Sequence, residues 1–333
     1  MKKLKVGMVI FLILGLVITG CSTGTSTQEV KVDYPVKPIE YIVPFSPGGG
    51  VDLVARAVAE YVSKDWGQPV NVINKPGGGG AVGAEYALKQ TPKDGYTVLA
   101  DNGSSTSLLE SGLKNPPVKI ADRIFVSRIV QDPLVFAVKT DAPWKDLQEL
   151  SQWVKANPEK LTWTSVGSAG ISSFAVAEWL DSIGVDYSKT PMIATKGASD
   201  SIPKVAGGHA VLAVHTVAET YAMAQAGKIR ILGVQAAERS PYLPDVPTLE
   251  EQGIKGVTAK WWTGITVPAG TPDYVVRKWE KTIAKMVKDP VFQEKAQKLH
   301  VQVSPAGSGE FTEFVKSETQ YYTKLAAEQG IRK

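Results

Sequence analysis

From residue 34 onward the chain alternates short apolar runs, glycine-containing loops and stretches with apolar residues at helical spacing. The run at 39–43 predicts a strand, 44–50 a loop, and 51–64 a helix with Leu53, Val54, Ala57, Val58 and Tyr61 on one face. A second strand at 70–73, a second glycine loop at 74–80, a helix at 81–90 and a strand at 97–100 repeat the rhythm. It restarts with strands at 161–165, 192–194, 210–214 and 231–234 and helices at 172–182 and 199–206. Two amphipathic helices close the chain, over 272–299 with a break near Pro290 and over 309–329. Strand, loop and helix in this order predict parallel sheets covered by helices, an α/β fold, and two such cores predict two lobes. No internal repeat is present.

The N-terminus follows another pattern. Lys2, Lys3 and Lys5 precede an apolar run over 6–18, which ends in small residues before Cys21, the one cysteine of the 333 residues. This reads as a secretory signal over 1–20, too short to rely on as a membrane span. It resembles a bacterial lipoprotein signal, in which cleavage leaves Cys21 as the lipid-bearing N-terminus. The polar, small residues that follow, to residue 30, read as a flexible tether. Removing the signal takes away three lysines and no acid, so a net charge of +4 falls to +1. No basic face for nucleic acid is implied. With its thiol used for anchoring, the mature protein has no disulfide and is held together by burial alone.

Candidate chemistry centres on two loops, Pro44-Phe45-Ser46-Pro47-Gly48-Gly49-Gly50 and Lys75-Pro76-Gly77-Gly78-Gly79-Gly80. Each follows a predicted strand and opens a predicted helix, so unpaired backbone N–H groups and the helix dipole together favour an anion. Glycine lets the chain turn and lets a ligand approach the backbone. Gly78, Gly80 and Gly83 also satisfy the G-x-G-x-x-G dinucleotide pattern, with Asp101 near the end of the next strand, which keeps an NAD(P)-dependent oxidoreductase open as an alternative. Against it stand export, a second glycine loop one unit earlier, and no evident catalytic partner. His209, His215 and His300 have no metal-ligand spacing, Val166 breaks a nucleophile elbow at Gly167-Ser168-Ala169-Gly170, and no phosphate-loop motif occurs. A surface adhesion or scaffold role is a third reading.

The run from Tyr34-Pro35-Val36-Lys37-Pro38-Ile39 through Pro44-Phe45-Ser46-Pro47-Gly48-Gly49, then Asp52, Arg56, Asn74-Lys75-Pro76-Gly77 and Asp94-Gly95-Tyr96-Thr97, resembles the extracytoplasmic solute-binding proteins of tripartite tricarboxylate transporters, the Bug family. The likeness continues through Ser165-Val166-Gly167-Ser168-Ala169-Gly170, Lys196-Gly197-Ala198-Ser199, Leu243-Pro244-Asp245-Val246-Pro247-Thr248 and Pro268-Ala269-Gly270-Thr271-Pro272. The resemblance implies a two-lobed, type II periplasmic-binding-protein fold that closes on a small organic acid, needs no cofactor or metal, catalyses nothing and serves a membrane permease. It implies ligand contacts at Phe45, Ser46, Gly48, Gly49, Gly50 and Asp52, at Gly78, Gly79, Gly80 and Ala81, at Ser165, Gly167, Ser168 and Gly170, and at Lys196, Gly197 and Ser199. Asp52, at the first turn of its helix, also suits a capping role. Trp261 and Trp262 read as buried or hinge-lining.

Two departures bear on specificity. Where relatives commonly carry an aromatic-Asp-Asn stretch this chain has Val214-His215-Thr216, and where they commonly have Ala-Asn it has Asp101-Asn102. Asn102, His215 and Thr216 therefore join the candidate contacts. An imidazole in place of a carboxylate removes an acceptor for an amino group and adds a donor for an acid, so the expected ligand is a di- or tricarboxylate without an ammonium. The expected lobes are 31–132 with 259–333, and 133–258, in a monomer.

Overall fold

The structure is a computed structural model and describes residues 33–332. The signal, Cys21 and the tether lie outside the described residues.

The chain folds in the order β1 (Ile39–Val43), α1 (Gly50–Trp66), β2 (Val70–Asn74), α2 (Ala81–Lys89), β3 (Thr97–Asn102), α3 (Ser107–Gly112), β4 (Arg123–Asp132) and β5 (Leu134–Lys139). It continues with α4 (Leu147–Ala156), β6 (Trp163–Ser165), α5 (Ile171–Ser182), β7 (Met192–Ala194), α6 (Ala198–Ala206), β8 (Leu212–Thr216), α7 (Val217–Gln225) and β9 (Ile229–Gln235). It ends with β10 (Trp261–Pro268), α8 (Asp273–Met286), α9 (Pro290–Lys298), β11 (Val303–Gly307) and α10 (Ser308–Glu328). The break near Pro290 is the start of α9, where proline occupies the first helical position and needs no N–H partner.

Two sheets form, with strand orders β11-β4-β10-β3-β1-β2 and β7-β6-β8-β5-β9. Each is parallel where the glycine loops lie: β1 pairs with β2 and β3, and β6 with β7 and β8. The sheets are nevertheless mixed, which departs from the parallel expectation. β10 runs antiparallel to β3 and β4, and β5 antiparallel to β8 and β9. β4, β5 and β10 escape a period-based reading because neighbours cover both of their faces, so polar and apolar positions do not alternate along them.

The chain passes from the first sheet to the second between Asp132 and Leu134, and returns between Gln235 and Trp261. The return crossing is fastened to the second lobe through α5. Glu178 of α5 accepts hydrogen bonds from Thr258 N (2.8 Å), Thr258 Oγ1 (2.7 Å), Ala259 N (2.9 Å) and the Tyr321 hydroxyl of α10 (2.8 Å). Tyr322, the next residue on α10, packs edge-on against Phe174 of α5, with ring centroids 4.8 Å apart. The C-terminal helix, which also covers β4 and α3, thus binds one lobe to a helix of the other.

Asp132 ends β4 at the other crossing. Its side chain is 2% exposed, Oδ1 accepts the Gln302 N–H at 2.7 Å, and Oδ2 has no partner. Burial pushes its pKa up to about 7 from 3.8, against the opposing Gln302 N–H and helped by the charge of Glu219. The folded state therefore holds this proton more tightly than the unfolded chain. The stability it contributes is complete below about pH 4 and is lost as pH rises through about 7, an effect on the order of 4 kcal/mol. Denaturant unfolding at pH 5 and pH 8 is expected to show roughly 3 kcal/mol of that loss in the native sequence and a much flatter profile in Asp132→Asn. An unchanged slope would show that Asp132 ionises without cost.

Candidate functional site

The helix that follows β1 starts without a side-chain cap, because Gly49 precedes it in extended conformation. The acid nearest that start, Asp52, is committed elsewhere. Its Oδ2 accepts the Gly48 N–H (2.9 Å) and Arg56 Nε (2.9 Å), and its Oδ1 accepts Arg56 Nη2 (3.0 Å) and Asn74 Nδ2 (2.9 Å). Burial alone would raise its pKa, but the Arg56, Gly48 and Asn74 donors outweigh burial and hold it below the ordinary carboxylate range. Asp52 thus ties the first glycine loop to the end of β2.

The second loop needs glycine at successive positions. Gly77, Gly78, Gly79 and Gly80 have φ of 143°, 56°, 68° and 103°, values that side-chain-bearing residues rarely adopt. They form a 3₁₀ turn whose end is the N-cap of α2. In the other lobe α5 starts after Gly170 and α6 after Gly197, again without side-chain caps. The Ile171 N–H at the start of α5 donates across the lobes to Ser104 Oγ at 3.0 Å.

These helix starts border a crevice between the lobes that has two compartments, with Phe45 and Val166 lining both. The inner compartment is narrow, about 40 Å³, and is bordered by Ser46, Gly49, Gly50, Asn102, Ser104, Ser172, Gly197, His215, Glu219 and Trp261. The outer one, about 430 Å³, is bordered by Gly77, Gly78, Gly79, Gly80, Gly167, Ser168 and Lys196. Most candidate contacts therefore meet in one place. Gly48 is exposed at the tip of the first loop and Asp52 is buried beneath it, both outside the two compartments, and Ala81 packs into the core beside Ala84 and Leu99. Ser165 and Gly170 shape the α5 loop, the Ser165 hydroxyl donating to Gly167 O (3.0 Å) and accepting from Ser173 (2.9 Å). Thr216 caps α7, and Ser199 is exposed outside both compartments.

His215 is placed differently from the expectation that it offers a free donor. His215 Nε2 lies 2.7 Å from Ser201 Oγ and Nδ1 3.2 Å from Glu219 Oε2, so both ring nitrogens are engaged within their own lobe. Asn102 Oδ1 accepts the Ser105 N–H at 3.1 Å. Sequence reading missed Glu219. Thr216-x-x-Glu219 has the form of a capping box, and the box is present, which accounts for the glutamate without reference to the crevice. Its carboxylate nevertheless faces the inner compartment, where Trp261 also lies.

The dinucleotide pattern meets a different geometry. β2, which precedes Gly78, is the edge strand of its sheet, and Gly83 is pressed against Pro44 and Lys75. Asp101 is fully buried on Arg123 and on the hydroxyls of Ser105, Thr106 and Thr266, so it has no face for a ribose.

A family model described as "Tripartite tricarboxylate transporter family receptor" matches residues 54–331. The chain belongs to this family. It is 31% identical over 314 residues to the UPF0065 protein in the tcbD–tcbE intergenic region of Pseudomonas sp. (strain P51), covering 93% of this chain and 91% of that one. The solved periplasmic binding protein BugD superposes with a TM-score of 0.82 at 28% identity, over 90% of this chain and all of that chain. An R. palustris protein solved with adipate superposes at 0.83 with 24% identity, over 90% of this chain and 99% of that chain. The family is one of solute-binding receptors, and the fold is the two-lobed fold of periplasmic binding proteins. Among the described residues no helix is long and apolar enough to cross a membrane, and no group of residues is arranged to hold a metal ion.

Proposed function

We propose that this chain is a lipid-anchored, non-catalytic receptor that captures a small organic acid outside the cytoplasmic membrane and delivers it to the permease of a tripartite tricarboxylate transporter. The observation that carries the reading is the convergence on one interlobe crevice of four helix starts, those of α1, α2, α5 and α6, whose own N-cap residues are glycines that supply no side-chain cap. Backbone N–H groups and helix dipoles there suit a carboxylate, and capture follows from closure of lobes 31–132 with 259–333 on 133–258. Lys196, Gly167 and Ser168 border the outer compartment opposite the Gly78–Gly80 turn and would complete the acid's surroundings. The adipate of the R. palustris neighbour shows that this fold accommodates a short-chain acid. Cys21 would carry the lipid that holds the receptor at the membrane.

A thermal-shift screen of organic acids on the mature chain tests the proposal. Ligand at a hundred times its dissociation constant is expected to add about 2.7 kcal/mol of stability. The absence of a shift with every acid would favour a scaffold, and quenching of NADH fluorescence would favour the oxidoreductase.

A further inference from the structure

Glu219 stands on α7 in one lobe, yet its Oε1 accepts the N–H of Gly50, the first residue of α1 in the other, at 2.9 Å. Its Oε2 accepts the Thr216 N–H and faces His215 Nδ1, each at 3.2 Å. The side chain is 9% exposed. An internal anion thus already sits at the start of α1, the position that an uncapped helix offers to a ligand's carboxylate. Burial would push the Glu219 carboxyl up, but His215 and the N–H groups of Gly50 and Thr216 outweigh it, so the group is held below the ordinary range and stays ionised. Trp261, Leu134 and Val51 border the same compartment and keep the surroundings apolar, so the charge is weakly screened.

A carboxylate offers about four lone-pair positions, and Gly50, Thr216 and His215 account for three. One acceptor position remains, and a second carboxylate has nothing to give it. We infer that Glu219 is the specificity-determining residue of the crevice. It selects an acid with a single carboxylate, held toward the Gly78–Gly80 side, and a hydrogen-bond donor such as a hydroxyl, amide or ammonium at the end that meets Glu219. The inference rests on the receptor reading above and replaces the di- or tricarboxylate expectation, which relied on a free His215 donor.

The test uses matched pairs of nearly equal shape, succinate with its mono-amide and glutarate with its mono-amide, titrated calorimetrically into the mature chain. The native sequence is expected to bind each mono-amide at least tenfold tighter than the dicarboxylate. Glu219→Ser, which frees the Gly50 N–H, is expected to reverse the preference. Glu219→Gln keeps the side chain's shape and its acceptor oxygen, and is expected to bring the ratio close to one if the charge is what discriminates. A dicarboxylate preference in the native chain, or a ratio unmoved by both substitutions, overturns the role of Glu219 while leaving the receptor reading intact. Failure of the native chain and both variants to bind any member of the pairs, or any acid of the wider screen, overturns both.

Discussion

Asp101→Ala is expected to lower folding stability by about 3–5 kcal/mol, the usual cost of breaking a buried ion pair from one side. Asp101 and Arg123 are both fully buried. Besides Arg123, the aspartate accepts hydrogen bonds from Ser105 Oγ (2.6 Å), Thr106 Oγ1 (2.6 Å) and Thr266 Oγ1 (2.9 Å). Arg123 already has Nε and Nη2 without partners, so it has little means of compensating for the lost carboxylate. The same network supports the turn that carries Asn102 and Ser104 to the crevice, so acid binding is expected to weaken in any variant that still folds. Denaturant titration measures the loss. Pairing Asp101→Leu with Arg123→Met is expected to recover most of it, because no unpaired charge then remains inside. A loss under about 1 kcal/mol for Asp101→Ala would mean that water reaches the site and screens the arginine.

Gly83→Ala is the second large effect, and here two contributions oppose each other. Alanine within a helix gains about 1 kcal/mol over glycine. At this position, however, a Cβ would stand 2.7 Å from Pro44 Cα and 2.9 Å from Lys75 O, both backbone atoms that cannot swing aside. Overpacking of this kind costs about 1–3 kcal/mol, and the strain falls on both glycine loops at once. The expected result is net destabilisation together with loss of ligand binding, read by thermal shift with and without acid. Gly309→Ala in α10 is the control. Nothing lies within 4 Å of its Cβ position, so the helical gain should appear alone. If Gly83→Ala behaved like Gly309→Ala, α2 would not be wedged against the loop after β1.

The glycine loops and their helices were readable because local chemistry alone decides them. A short apolar run, glycines where φ must be positive, and an amphipathic face after them leave few alternatives, and α1, α2, α5 and α6 start within a residue of where the pattern puts them. Asp52 could be read as a capping residue for the same reason, since its partners Gly48 and Arg56 are four residues away on either side. β4 and β10 could not be read that way. Each is buried on both faces by residues far along the chain, such as Phe311 against Phe125 and Trp262, and this removes the alternation that marks a half-exposed strand.

The amino-acid sequence by itself determined the α/β class, the two glycine loops with their anion-favouring helix starts, and membership of a receptor family whose matches run along most of the chain. Only the tertiary structure decided which of those starts remain available. Glu219 and Gly50 are 169 residues apart, and Asp101 and Arg123 meet across two strands that β10 separates. Helix starts are set by neighbours along the backbone, whereas the occupant of each start is set by whichever side chain the packed lobes bring to it. That choice depends on distances in space, which no local pattern of residues encodes.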